Sequence, residues 1–255
     1  MKKKLKNGEL VIGTWINNLH SPAIAKMVGT AGFDFISLDM EHGAADLETI
    51  ANECMVARLC GVATLVRPYD PKDIHMNAKL MDIGACGLIV PDVDSKEMAD
   101  RVVKSVKYFN GGTRGTVNMS YNTGFTPSKA EDFRRSDEQT IIVIQIENQN
   151  GVKKIDEILS VPGIDVVVVG RADMAHDIGV TGNMDDPRVS EMVDQVFDAA
   201  KRHGVVPGLL CPTVEKGIER VHAGAKFINY SNEQAILMKA YQEFLKDVRA
   251  ADKKQ

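Results

Sequence analysis

The sequence predicts an α/β fold, a single (β/α)8 TIM barrel spanning residues 1–255. Three observations point there. Eight short apolar, β-branched runs recur along the chain, helical patterns alternate with them, and 255 residues is close to the length of one such barrel. Near-continuous apolar runs suit strands covered on both faces, as in a parallel sheet. Eight repeats favour a closed barrel over an open doubly wound sheet.

The elements follow in order. VIGTWI (11–16) is the first strand, and SPAIAKMVGTAG the first barrel helix, with Ser21 as N-cap, Pro22 at the first helical position and Gly32 as the stop. FISLDM (35–40) precedes a helix from Asp46 to Gly61, and TLVRP (64–68) precedes one from Asp73 to Gly84. GLIVPDV (87–93) leads to DSKEMADRVVKSVKYF, where Asp94 and Glu97 have capping-box spacing. IIVIQIE (141–147) precedes NQNGVKKIDEILS, and VVVVG (166–170) precedes DDPRVSEMVDQVFDAAKRHG. VVPGLL (205–210), TVEKGIERVHAG and FINYS (227–231) complete the alternation, and 232–250 is a C-terminal helix with apolar repeats at Leu237, Tyr241, Leu245 and Val248. One connection breaks the rhythm. Residues 110–140 are polar and turn-rich, with one short helix near 128–135, and such a length suits either a lid over the barrel mouth or a surface insertion. The lid is the expectation carried forward.

Bulk properties exclude several classes. A hydrophobic fraction of 44%, a charged fraction of 26% and a net charge of −4 describe an ordinary globule, and without a basic patch nucleic acid is excluded as the main partner. A domain of this size buries roughly 70–75% of its unfolded surface, so it needs no disulfide or structural metal. MKKKLKNGEL lacks the apolar stretch of a signal peptide, and no run approaches the ~18 apolar residues of a membrane span. Cys54, Cys60, Cys86 and Cys211 have no CxxC spacing and read as reduced thiols. The expectation is a cytoplasmic protein.

Four polar residues stand at the ends of apolar runs, where a barrel enzyme builds its site: His42, Arg67, Glu147 and Asp173. Glu147 and Asp173 end consecutive strands, so their carboxylates are neighbours that repel unless a cation or proton joins them. Oxygen ligation suits Mg2+ or Mn2+, with Co2+ also compatible; the alternative is a helix cap and a turn. His42 is either a base near neutral pH, oriented by Asp82 or Asp39, or a surface histidine. Arg67 offers a planar fork to a carboxylate or enolate oxygen, or pairs with Glu41 or Asp39. Gly170, Arg171 and Ala172 lead into Asp173, and small residues there let backbone amides approach a ligand carboxylate. No lysine ends any of the eight runs, which argues against a Schiff-base aldolase. No GxSxG, P-loop or GxGxxG occurs, and the last two strand ends lack a glycine-rich phosphate loop.

These residues sit in segments that together carry a resemblance: GTW, AGFDFISLDMEHG, LVRP, LMDIGACGLIVPDV, RGT, VIQIEN, GIDVVVVGRADMAHDIG and PGLL. Over essentially its full length the chain resembles the HpcH/HpaI family of metal-dependent 2-oxo acid aldolases. The resemblance implies a (β/α)8 barrel assembled as a hexamer, a trimer of domain-swapped dimers that exchange the C-terminal helix. It implies Glu147 and Asp173 as ligands of a divalent cation, Arg67 at the pyruvate keto oxygen, and His42 as base with Asp82 as dyad partner. It also implies Gln145 beneath the metal, Asp39 as a supporting acid, and the amides of Gly170 to Asp173 on the pyruvate carboxylate. The implied activity is reversible cleavage of a 4-hydroxy-2-oxo acid to pyruvate and an aldehyde. Rival readings are a related lyase acting on an acyl-CoA ester or oxaloacetate, and a non-catalytic 2-oxo acid binder. Candidate aldehydes include succinic semialdehyde, tartronate semialdehyde, lactaldehyde and glycolaldehyde. The chain departs from the pattern at Arg171, where the family usually has proline; the arginine side chain either faces solvent, the expectation carried forward, or widens anion recognition. Asp92 and Asp94 make the rim after the fourth strand more acidic than usual, which argues mildly against a doubly anionic aldehyde.

Overall fold

In the computed structural model, which describes residues 1–252, eight parallel strands close into one barrel in sequence order. They are β1 (Val11–Ile16), β2 (Phe35–Asp39), β3 (Ala63–Arg67), β4 (Gly87–Val90), β5 (Ile141–Ile146), β6 (Val166–Val169), β7 (Val206–Cys211) and β8 (Phe227–Asn232). The helices are α1 (Lys2–Lys6), α2 (Pro22–Thr30), α3 (Leu47–Leu59), α4 (Ile74–Asp82), α5 (Lys96–Ser105) and α6 (Ala130–Gln139). They continue with α7 (Gln149–Lys153), α8 (Ile155–Leu159), α9 (Arg171–Asp177), α10 (Pro187–His203), α11 (Val214–His222) and α12 (Glu233–Asp252).

Alternate strand residues face inward and fill the barrel: Val11, Phe35, Leu65, Ile89, Ile141, Val143, Val166, Val168 and Phe227 form one buried cluster. Phe35 and Phe227 stack with centroids 4.5 Å apart. Two rings fit because β1 and β7 contribute glycines at that level: a Cβ on Gly13 would lie 2.3 Å from the Phe35 ring, and one on Gly208 2.8 Å from the Phe227 ring. The opposite strand faces pack on the helices in a second, larger cluster that includes Ile36, Leu38, Val66, Leu88, Ile144 and Val167. α1, not foreseen in the sequence, plugs the amino end of the barrel. Leu5 joins the inner cluster, and Lys2 and Lys4 pair with Asp165 (2.9 Å) and Asp34 (2.7 Å), the residues just before β6 and β2.

Ser21 caps α2 as expected, accepting the Ala23 amide. The cap of α5 is Ser95, which accepts the Met98 amide, in place of the expected Asp94. The 149–159 segment is broken into α7 and α8.

The 110–140 connection is not a lid in this chain. It joins the end of α5 to the start of β5, and in a βα barrel both lie at the amino end, opposite the site. Its contacts agree. Arg114 pairs with Asp82 at the end of α4, Asn122 donates to the Met81 carbonyl, and Arg58 near the end of α3 donates to the Tyr121 carbonyl.

Candidate active site

The strand tips converge on a cavity of about 360 Å3 at the carboxyl end of the barrel. Its lining includes Trp15, Asn17, His42, Arg67, Gln145, Gly170, Arg171, Ala172, Asp173, Leu210 and Asn229.

Arg67 ends β3, buried, with Nε and one terminal nitrogen on the two oxygens of Asp39 at 2.8 and 2.7 Å. Its other terminal nitrogen lies 3.0 Å from Glu41, and the guanidinium sits 4.6 Å above the Trp15 ring. Both pairing partners foreseen from the sequence are therefore engaged. Burial works against the charge, but the Asp39 hydrogen bonds and the carboxylates of Asp39, Glu41 and Glu147 hold the Arg67 pKa above its ordinary value. The cation is fixed in place with one edge toward the cavity.

Glu147 follows β5 and is buried. Its Oε1 accepts the Asp92 amide at 2.7 Å, and its Oε2 accepts from the Gln145 side chain. Asp92 adopts a left-handed backbone (φ 52°), which turns that amide toward the carboxylate. Burial, followed by the negative charge of Asp173 against the relief of the Gln145 bond, pushes the Glu147 carboxyl up to about 7. Gly170 passes so close that a Cβ there would lie 2.4 Å from Glu147 Oε2. Asp173 stands in the first turn of α9, where the amides of Arg171, Ala172 and Asp173 have no intrahelical partner.

His42 lies in the turn after β2, its side chain 63% exposed and Nε2 3.7 Å from Glu41. The expected dyad does not form within the chain: Asp82 ends α4 at the amino end of the barrel and is bound by Arg114 at 2.6 Å. A helix that returns from a strand tip must finish at the opposite end, which is where position 82 falls. The Arg171 expectation is corrected too. Its side chain is 11% exposed, not solvent-facing, and holds the Met184 carbonyl (2.9 Å) and Asp185 (3.1 Å) beside the cavity. Asp92 and Asp94 are bound by Asn148 and Asn150.

Two participants went unrecognised in the sequence, and a third was foreseen only as a partner of Arg67. Glu41 is half-buried between Arg67 and His42, and burial raises its pKa despite both neighbours. Asn17 follows β1 and donates to Asp39 at 2.5 Å. Glu233, the first residue of α12, accepts the amides of Asn17, Asn18 and Leu19. Glu41 and Asn17 follow strand tips, a signal the spacing already held. Glu233 carries no such signal.

The donor set fits a hard divalent cation. Glu147 and Asp173 present oxygens only, their like charges raise the cost of ionising Glu147, and among the described residues no three His, Cys, Asp or Glu cluster as a complete protein cage. Two carboxylates would leave the remaining positions of such an ion to substrate and water.

A rim of acids, a buried arginine and a histidine at the mouth of a (β/α)8 barrel are the polar groups of this site, and the comparisons place them in a class of lyases. A family model described as HpcH/HpaI aldolase/citrate lyase matches residues 12–240, and the chain belongs to that family as a carbon–carbon lyase. It is 31% identical over 242 residues to a 5-keto-4-deoxy-D-glucarate aldolase of Shigella sonnei, covering 95% of this chain and 93% of that one. Among solved structures, an HpcH/HpaI aldolase from Desulfitobacterium hafniense superposes with a TM-score of 0.92 at 34% identity, covering 98% and 96% of the two chains. A family member from Burkholderia cenocepacia gives 0.91 at 25% identity, with coverage of 97% and 98%. Among the described residues no helix is long and apolar enough to cross a membrane.

Proposed function

We propose that the protein cleaves a 4-hydroxy-2-oxo acid to pyruvate and an aldehyde, and runs the reverse addition, with a divalent cation held by Glu147 and Asp173. The observation that carries this is the convergence of Asp173, Arg67 and His42 on one cavity, with the buried Glu147 close enough behind Gln145 and Gly170 to feel the charge of Asp173. Mg2+, Mn2+ or Co2+ suits the all-oxygen pair, and such an ion would polarise the 2-oxo group and offset negative charge developing on its oxygen.

The chain's own residues divide the remaining work. Gln145 and the Asp92 amide hold the Glu147 carboxylate in one orientation. The free amides of Arg171, Ala172 and Asp173 receive the substrate carboxylate, and Gly170 leaves the room for it. Arg67, immobilised by Asp39, presents preorganised positive charge where the enolate oxygen forms. His42, exposed at the mouth and next to Glu41, takes the proton of the 4-hydroxyl. The C3–C4 bond then breaks, the aldehyde leaves, and the pyruvate enolate is protonated at carbon.

The relative's name supports one particular substrate. Cleaving 5-keto-4-deoxy-D-glucarate gives pyruvate and tartronate semialdehyde, one of the aldehydes foreseen. The decisive experiment is a panel of aldehydes offered with pyruvate and metal, read by product mass. A 4-hydroxy-2-oxo acid product supports the reading, and no product from any aldehyde in the presence of metal refutes it.

The resemblance also implies a cytoplasmic hexamer with exchanged C-terminal helices, and α12 supports the part of this that concerns association. That helix leaves Leu237, Tyr241, Phe244, Leu245 and Val248 exposed along its length. Light scattering of the purified protein reads the state directly.

A further inference from the structure

Behind the Arg67 side of the cavity lies a chain of polar contacts that the reaction above does not use. His20, in the turn between β1 and α2, has a side chain only 8% exposed. Its Nδ1 lies 3.0 Å from Glu53 Oε2, and its Nε2 3.0 Å from the Asn17 carbonyl. The Asn17 carbonyl only accepts, so Nε2 donates to it, and against an ionised carboxylate Nδ1 donates as well. Glu53 comes from α3 and is 1% exposed, with its other oxygen unpartnered. The remaining charged group that raises the imidazole is Glu233 from the start of α12.

The Asn17 peptide held by His20 is a junction. Its amide donates to Glu233, and its side chain donates to Asp39, which grips Arg67 through both oxygens. Its carbonyl also packs closely on the turn that carries His42, since a Cβ on Gly43 would lie 2.2 Å from that oxygen.

Resting on the aldolase reading, we propose that His20 is a positioning residue, a fixed imidazolium that clamps the Asn17 peptide between Glu53 and Asp39 and so sets the placement of Arg67 and of the His42 turn. It touches no substrate. Its positive charge also offsets the buried Glu53 carboxylate, and loss of its proton would leave Glu53 unpaired and the Asn17 carbonyl without its donor. The proton persists above the usual histidine range because the Glu53 hydrogen bond outweighs the effect of burial, with the Glu53 charge, the Asn17 carbonyl and Glu233 adding to it.

The test has two arms. In 15N-histidine-labelled protein, with the signal assigned by its loss in His20→Asn, both ring nitrogens of His20 should be protonated at pH 7.5. An unprotonated Nδ1, the pattern of a neutral ring against a protonated Glu53, overturns the proposal. In the kinetic arm, metal-loaded wild type, His20→Asn and Glu53→Gln are assayed for exchange of pyruvate methyl protons across pH. His20→Asn should lower kcat about tenfold or more. Glu53→Gln, which keeps the shape but removes the charge, should move the alkaline fall in kcat to lower pH. Unchanged kcat and pH profile in both variants overturn the positioning role even if the ring is charged. A wild type that shows neither exchange nor cleavage overturns the aldolase reading and the positioning role with it, while the nitrogen shifts still decide the charge on His20.

Discussion

Gly170→Ala isolates the space beside Glu147 without altering a single polar group. The backbone at Gly170 (φ −81°, ψ 85°) is open to any residue, so the cost is one of room alone. The added Cβ would lie 2.4 Å from Glu147 Oε2, 2.8 Å from Glu147 Cβ and 2.9 Å from Gln145 Nε2. Non-bonded heavy atoms settle near about 3.5 Å, so the Glu147 carboxylate must retreat by roughly 1 Å. It cannot do so and keep both the Asp92 amide and the Gln145 side chain. Overpacking of this kind costs about 1–3 kcal/mol, or about 2–4 °C of melting temperature per kcal/mol in a domain this long. A displacement of ~1 Å in a group that organises the reaction costs up to about 10²-fold in rate. The assay is a Mn2+ titration of pyruvate methyl exchange, with melting followed in parallel. Expected are weaker Mn2+ binding and a rate loss far larger than the stability loss explains. A variant with wild-type Mn2+ affinity and rate would remove Glu147 from the metal site.

Further outcomes follow from the same geometry. Chelation should abolish aldol cleavage, and Mn2+, Co2+ or Mg2+ should restore it; full activity in metal-free protein ends the metal reading. His42→Ala should slow cleavage while calorimetry still detects pyruvate and metal binding, and an intact rate would place the base elsewhere. Arg67→Ala should suppress methyl exchange by about 10²–10³-fold, the scale for losing one preorganised charge stabiliser, and unchanged exchange would exclude it from enolate stabilisation. Lys107, at the amino end, has its pKa pushed down to about 8, mainly by burial. Between pH 8 and the unfolded value near 10.4 the unfolded chain binds the extra proton, so this group makes stability rise with pH there. Lys107→Met should therefore stabilise the protein at pH 7, with the gain shrinking by pH 10 in urea unfolding, and an equal gain at both pH values would contradict the shift.

The barrel was legible because its strands are covered on both faces, so each of the eight reads as an apolar run. All eight appear within a residue or two of their expected limits, except β4, which ends at Val90. The site was legible only in part. Polar residues at strand tips betray themselves against apolar runs: Arg67, Gln145 and Asp173 line the cavity, and Glu147 is buried directly behind Gln145. Which end of the barrel a loop occupies is fixed by whether it follows a strand or a helix, and applying that rule to residues 110–140 and to Asp82 would have removed both from this chain's rim. α1 and Glu233 were invisible for another reason. Their partners, Asp165 and Asp34 for the one and the Asn17–Leu19 amides for the other, lie far away in sequence. The Ser95 cap shows a smaller effect, since Asp94 and Ser95 are both good caps and the backbone chose the serine.

The Glu233 clamp ties the start of the barrel to its finish. β1 pairs with β8, Ser231 takes a left-handed conformation (φ 44°) where that ladder slips, and the carboxylate two residues on seizes the turn after β1. The residues joined are 216 apart in sequence. During synthesis, therefore, the first strand waits for nearly the entire chain before its turn is pinned, and Asn17, Asp39 and Arg67 reach their final arrangement only at ring closure. A polypeptide released early, short of residue 233, would hold the inner residues of most strands yet lack a fixed rim. The rim of the site therefore depends on a contact that only the start of the last helix can supply.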